Sequence, residues 1–83
     1  MASSQSSDPV NRLLTALEQG ELSSGELRIG LGVSHRHTFR ENYLHPALYA
    51  GLIERTLPDK PNSRLQKYRL TDKGRAALKN LEP

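Results

Sequence analysis

The stretch from Gly32 to Thr56, GVSHRHTFRENYLHPALYAGLIERT, predicts one helix with two contrasting halves. Its first half is basic and rich in hydroxyl side chains, and its second half is largely apolar. Apolar side chains recur every four residues along one helical face, at Phe39, Tyr43 and Ala47. We expect the helix to begin after Ser34 as its N-cap and to end near Gly51.

A proline lies in the second half of this helix. Pro46 has no N–H to donate to the carbonyl of Asn42. The sequence therefore predicts a kink or a local bulge there, which would divide the helix into a recognition half and a packing half.

Two shorter helices are predicted before this one. Asp8 and Pro9 form an N-cap followed by an N1 proline, and Gly20 marks the end of a first helix over about 9–19. Ser23 and Glu26 have the spacing of a capping box, which opens a second helix over about 24–30.

The segment after Gly51 predicts a hairpin and a last helix. Strands are expected over about 52–57 and 65–70, joined by the turn PDKPNS, with Tyr68 and Leu70 on one face and Lys67 and Arg69 on the other. Thr71 or Asp72 caps a final helix over about 72–81, with apolar side chains at Ala76, Ala77, Leu78 and Leu81.

This order of elements predicts a small α+β fold, a winged helix-turn-helix with three helices, a two-stranded β-hairpin wing and a C-terminal helix. The winged-helix domain would span 9–83, and the Ser-rich residues 1–8 read as a flexible lead-in or linker.

Composition sets limits on function. The 83 residues suffice for one small domain, and the lack of cysteine excludes disulfides and fits a reducing, cytoplasmic setting. No apolar run is long enough for a membrane span.

Residues 1–33 carry two cations against four carboxylates, a net charge of −2, whereas residues 34–75 carry nine cations against four carboxylates, a net charge of +5. The basic segment favours a polyanion-binding face, with an ordinary solvated surface as the alternative.

Two groups of strings carry a family resemblance: FRENYL with PAL and GLIE in the helix and first strand, and PDKPNSR with QKYRLT in the hairpin. With them, the segment from Leu31 to Arg75 resembles the C-terminal winged-helix domain of bacterial RecG-related ATP-dependent helicases and transcriptional regulators. The same domain type follows the catalytic domain in some Fic-family proteins. The resemblance implies a nucleic-acid-binding or regulatory module attached to another domain.

Neither whole-protein activity is carried over to this chain. It contains no Walker A sequence, and its His45–Pro46 pair is followed by Ala47 rather than by the phenylalanine of the Fic catalytic motif. No nucleophile–base pair stands out, so we predict a domain that is not an enzyme. His35 and His37 would point about 200° apart on a helix and cannot share a metal ion. We expect no cofactor and no small-molecule substrate.

The polar end of the long helix supplies the predicted base contacts. In a helix-turn-helix the second helix enters the major groove with its N-terminal residues at the base edges. Arg36 and Arg40 are the first candidates for contact, and Ser34, His35 and Thr38 are the next. The alternatives are that Ser34 is only an N-cap and that Arg40 pairs with Glu41 or another surface carboxylate.

The predicted wing supplies the backbone contacts. Its cations are Lys60, Arg64, Lys67 and Arg69. On a mobile hairpin they could follow a phosphate backbone, which adds affinity with little sequence information. Protection of a sheet edge is an alternative role for Lys67 and Pro58.

The predicted function is therefore a non-catalytic DNA-binding domain, a targeting or transcription-regulatory arm of a larger bacterial protein. Duplex DNA is favoured over single strands because the chain offers no aromatic platform for stacked bases. The alternative is a protein-interaction or dimerisation module, with a homodimer among its forms. Tyr49 and the apolar residues of the first and last helices would serve it.

Overall fold

Four helices and one hairpin make up the computed structural model, which describes residues 8–81. Residues 1–7, which make up all of the predicted 1–8 lead-in except Asp8, and the last two residues lie outside the described part. The elements are α1 (Pro9–Ala16), α2 (Ser24–Leu31), α3 (36–49), β1 (Ile53–Arg55), β2 (Tyr68–Leu70) and α4 (Asp72–Leu81).

The start of α1 follows the predicted cap. Asp8 Oδ1 accepts hydrogen bonds from the N–H groups of Val10 at 2.9 Å and Asn11 at 3.3 Å, and Pro9 occupies the first turn. The helix ends at Ala16, three residues earlier than predicted. The N–H of Leu17 is shared between two carbonyls, which tightens the last turn and starts the loop.

The capping box of α2 is formed by both of its hydrogen bonds. Glu26 N–H donates to Ser23 Oγ at 3.1 Å, and Ser23 N–H donates to Glu26 Oε1 at 2.8 Å. Gly32 ends the helix with a φ of 73°, a conformation that favours glycine. Leu27 is the buried residue of this helix, whereas Ile29 is 84% exposed.

The capping box makes stability depend on pH. The hydrogen bond from the Ser23 N–H, followed by that of the Ser23 side chain, lowers the pKa of Glu26. Glu26 therefore adds stability above its unfolded-state pKa and loses it as the pH falls through the lower folded-state pKa. We expect Glu26→Gln to unfold at a lower urea concentration than the wild type at neutral pH. The difference should disappear in acid. A difference independent of pH would contradict this account.

The long helix α3 contains a π-helical turn. An α-helical segment, Arg36–Phe39, is followed by the π segment Arg40–Leu44 and a second α-helical segment, His45–Tyr49. The N–H of His45 donates to the carbonyl of Arg40, five residues back. The predicted local bulge is thus confirmed, directly before the proline that cannot continue the regular α-helical pattern.

The predicted N-cap of α3 is wrong by one residue. His35 is the N-cap, its carbonyl accepts from the N–H of Phe39 at 3.0 Å, and its side chain makes no capping bond. Because the first turn begins at Arg36, the hydroxyl of Ser34 is one position too early to cap it.

The hairpin is shorter than predicted but has the predicted alternation. Its register pairs Ile53 with Leu70, Glu54 with Arg69, and Arg55 with Tyr68. An unpredicted third segment joins the sheet at Leu22. Its N–H and carbonyl both bond to Tyr68, at 3.1 and 2.8 Å. The loop before α2 is thereby fastened to the wing.

The core receives leucines from all four helices, from the C-cap of α1 and from β2, with aromatic residues of α3 and the sheet. Its buried members are Leu13, Leu14, Leu17, Leu27, Phe39, Tyr43, Leu44, Ala47, Ile53, Tyr68, Leu70 and Leu78. Thr71 is the cap of α4, since its Oγ1 accepts from Gly74 N–H at 3.0 Å. No helix within residues 8–81 is long and apolar enough to cross a membrane. The result is the predicted α+β arrangement of winged-helix type.

Candidate nucleic-acid interface

A cleft of about 710 Å³ lies between the start of α2, the first half of α3 and the wing loop, residues 56–67 between β1 and β2. Five arginines line it: Arg28, Arg36, Arg40, Arg55 and Arg64. The described residues that line it include no aspartate or glutamate. Such a concentration of one charge without a carboxylate favours an anionic ligand.

The predicted recognition residues divide into two groups. Arg36 and Arg40, one helical turn apart, line the cleft together. The predicted contacts Ser34, His35 and Thr38 are exposed at the same end of α3, outside the cleft lining.

Arg40 does not form the ion pair that was its alternative role. Glu41 instead places Oε2 3.6 Å from Nδ1 of His45, one turn further on. Within residues 8–81 Arg40 makes no salt bridge, and His45 lines the cleft beside it. The guanidinium of Arg40 is therefore available to a ligand.

The four predicted wing cations are not brought together. Arg64 lines the cleft, whereas Lys60 and Lys67 are exposed outside it. Arg69 lies on the other face of the hairpin, where its Nε is 2.6 Å from Glu54 Oε2 and its Nη1 is 3.9 Å from Glu21 Oε2. A DNA contact by Arg69 would have to compete with both carboxylates.

The sequence did not predict two of the cleft arginines, Arg55 and Arg28. The strand register explains the position of Arg55. Arg55 stands opposite Tyr68, and residues directly opposite each other on antiparallel strands share a face. Arg55 therefore points to the inner face with the buried Tyr68. The second, Arg28, lies on α2 and donates from Nη1 to the carbonyl of Ser34 at 3.5 Å.

The wing loop is held by one buried amide rather than being a free tip. Gln66 is 5% exposed, and its Oε1 accepts from Leu57 N–H at 2.9 Å. Its Nε2 donates to the carbonyls of Leu57 at 2.6 Å and Lys60 at 3.1 Å. These bonds fix the path of the loop that carries Arg64.

The start of α2 adds backbone donors to the cleft. Ser23, Ser24 and Gly25 all line it. Glu26 N–H is already taken by the Ser23 hydroxyl, but the amides of Ser24 and Gly25 belong to the first turn, where no intrahelical acceptor exists. Among the described residues, no three side chains of metal-binding type come together.

The model for the C-terminal domain of Fic-like proteins (filamentation induced by cAMP) matches residues 8–71. The chain belongs to the Fic-like C-terminal domain family. The crystal structure of a Fic family protein from Desulfovibrio desulfuricans G20 is similar to it, with a TM-score of 0.76 and 53% sequence identity. That similarity covers 87% of this chain and 23% of the other. A comparison with curated proteins gave no match.

The family assignment confirms the Fic side of the resemblance. The Fic-like C-terminal domain is the non-catalytic part of Fic proteins, and its matched residues 8–71 include every arginine of the cleft. The chain spans about a quarter of the Desulfovibrio protein. The resemblance to helicase-related proteins is not tested by these matches and stays a prediction.

Proposed function

We propose that this Fic-like C-terminal domain binds double-stranded DNA and serves as the targeting or transcription-regulatory arm of a larger Fic protein. The observation that carries the proposal is the cleft with five arginines and no carboxylate in its described lining. A groove of this charge attracts phosphates and raises the local concentration of a polyanion.

Base contacts are assigned to the start of α3. Arg36 and Arg40 lie one turn apart and unpaired with carboxylates among residues 8–81. An arginine in the major groove can donate two hydrogen bonds to guanine. The exposed side chains of Ser34, His35 and Thr38 extend the same surface and can reach bases or phosphates.

Backbone contacts are assigned to the wing. Arg64 lines the cleft. Lys60 is exposed on the same loop, and Lys67 is exposed directly before β2. The bonds of Gln66 hold this loop in one path, so little ordering is needed when it meets a phosphate backbone.

A protein-interaction or dimerisation role is the second candidate. Tyr49, at the end of α3, is 83% exposed and lies outside the cleft. An exposed aromatic residue of this kind is typical of interface anchors. This role would give association that is insensitive to salt, whereas phosphate contacts weaken steeply as salt rises.

The test is fluorescence anisotropy with a mixed-sequence duplex at two salt concentrations. We expect the wild type to bind more tightly at low salt. Arg36→Ala/Arg40→Ala should weaken binding by at least about tenfold, since each substitution removes a charge-assisted contact. Arg64→Ala/Lys67→Ala should weaken binding about equally for all sequences and reduce the salt dependence.

A charge-matched pair on α4 is the control. Arg75 and Lys79 are exposed and outside the cleft, so Arg75→Ala/Lys79→Ala removes the same charge elsewhere. It should leave most of the affinity intact. No binding by the wild type at low salt would refute the proposal. An equal loss of affinity in the control pair would refute the assigned surface and indicate that general charge attraction alone drives binding.

A further inference from the structure

The Nε of Arg55 is buried and has no hydrogen-bond partner among residues 8–81. Buried donors are nearly always paired, and an unpaired one calls for a ligand, water or ion as its partner. Arg55 lines the cleft from its sheet side, where the register turns it inward beside Tyr68. A charged donor is thus held at the inner wall of a cleft without an acceptor.

Other donors face the same wall from α2. Arg28 lines the cleft one turn after Ser24 and Gly25, whose first-turn amides lack intrahelical acceptors. A helical side chain leans over the turn before its own position, so the side chain of Arg28 lies on the side of the first turn that carries these amides. Helix starts favour negative charge through their free amides and their dipole.

We propose that Arg55, Arg28 and the amides of Ser24 and Gly25 form a phosphate-binding subsite at the inner wall of the cleft. A phosphate group has several acceptor oxygens, which can meet two guanidinium groups and backbone amides together. The subsite deepens the proposed function and rests on it where the phosphate belongs to a DNA strand. A free phosphate ion offers the same chemistry.

On DNA, this subsite would determine how the domain is positioned on the duplex and would not determine which base sequence it prefers. A backbone phosphate held between α2 and β1 fixes the depth and orientation at which α3 enters the groove. The recognition residues Arg36 and Arg40 line the same cleft from α3, so one docked phosphate would align them with the base edges.

The test follows the backbone amides of Ser24 and Gly25 in ¹H–¹⁵N NMR spectra of the whole chain. Inorganic phosphate is added at constant ionic strength, with chloride as the matched titration. We expect saturable shifts at both amides with phosphate and none with chloride. Arg55→Lys keeps the charge but loses Nε and the planar fork, and Arg28→Gln removes the second guanidinium. Each should raise the apparent Kd for phosphate about tenfold.

Arg75→Gln is the matched control, because it removes one positive charge from an exposed site on α4. It should leave the phosphate Kd unchanged, and the dispersion of each spectrum reports folding. Equal shifts with chloride and phosphate, or an Arg55→Lys variant with unchanged Kd, would overturn the subsite.

The same proteins are then tested by anisotropy with the duplex. Binding of both ligands, each weakened by Arg55→Lys, supports a DNA phosphate as the natural occupant. Binding of phosphate without DNA keeps the subsite and refutes the proposed function. Binding of DNA without phosphate-dependent shifts refutes the subsite and keeps the proposed function.

Discussion

Replacing Gly74 with alanine is expected to lower the free energy of unfolding by about 3 kcal/mol or more. A Cβ at this position would lie 1.9 Å from the carbonyl oxygen of Leu52 and 2.9 Å from its carbonyl carbon. Both neighbours are backbone atoms, so no side-chain rotation can relieve the overlap. The contact sits where α4 docks on the start of β1, since Leu52 O also accepts from the N–H of Thr71 at 3.0 Å.

Urea unfolding of the variant measures this effect. Gly30→Ala is the matched control, because Gly30 lies in α2, is exposed, and has nothing within 4 Å of its would-be Cβ. That change should be neutral or stabilise by up to about 1 kcal/mol, since alanine favours a helix. A Gly74→Ala variant within about 1 kcal/mol of the wild type would show that α4 can shift outward freely.

The local features of the fold could be read from the sequence. The caps at Asp8 and Ser23 depend on residues within three positions, so neighbouring letters suffice to predict them. The bulge before Pro46 follows likewise from one missing N–H. The cap of α3 escaped prediction because Ser34 and His35 both precede the helix, and the geometry of the turn decides between them.

The candidate site depended on contacts that the sequence does not display. The alternation in the second strand predicts that Arg69 lies on the face opposite Tyr68 and Leu70. Only the register shows which face Arg55 takes and which residue lies across from each arginine. The pairing of Arg55 with Tyr68 turns Arg55 into the cleft, and the pairing of Arg69 with Glu54 turns Arg69 away from it. The charge excess of the segment was visible in the sequence, but its arrangement required the fold.

Long-range connections explain the remaining differences. Leu22 pairs with Tyr68, 46 positions later in the sequence, and no periodic pattern predicts a single bridge of this kind. That bridge brings the start of α2 to the wing, so Ser24 and Gly25 line the same cleft as Arg64. Gln66, in a polar turn, likewise gave no sign that its side chain would be buried.

Replacing Gln66 with leucine is expected to destabilise the protein by about 2–3 kcal/mol and to release the wing loop. Leucine is similar in size but makes none of the three hydrogen bonds to Leu57 and Lys60. The N–H of Leu57 would lose its acceptor, whereas the carbonyls of Leu57 and Lys60 would each keep a backbone donor, the N–H groups of Lys60 and Ser63 at 3.0 Å. An unpaired N–H that stays buried is unfavourable. The loop can reduce this cost by opening, because water then bonds to the unpaired group. Loss of order should therefore concentrate between residues 57 and 65.

Urea unfolding and amide hydrogen exchange together test this account. The amide of Leu57 should lose protection in Gln66→Leu, whereas the amide of Tyr68, which donates to Leu22, should keep most of its protection. Gln19→Leu makes the same chemical change at an exposed turn position and should alter stability by no more than about 0.5 kcal/mol. If Gln66→Leu unfolds like the wild type and keeps Leu57 protected, the buried amide is not what holds the wing. If exchange rises equally at Leu57 and Tyr68, Gln66 stabilises the whole hairpin, and the wing loop is not a separable unit.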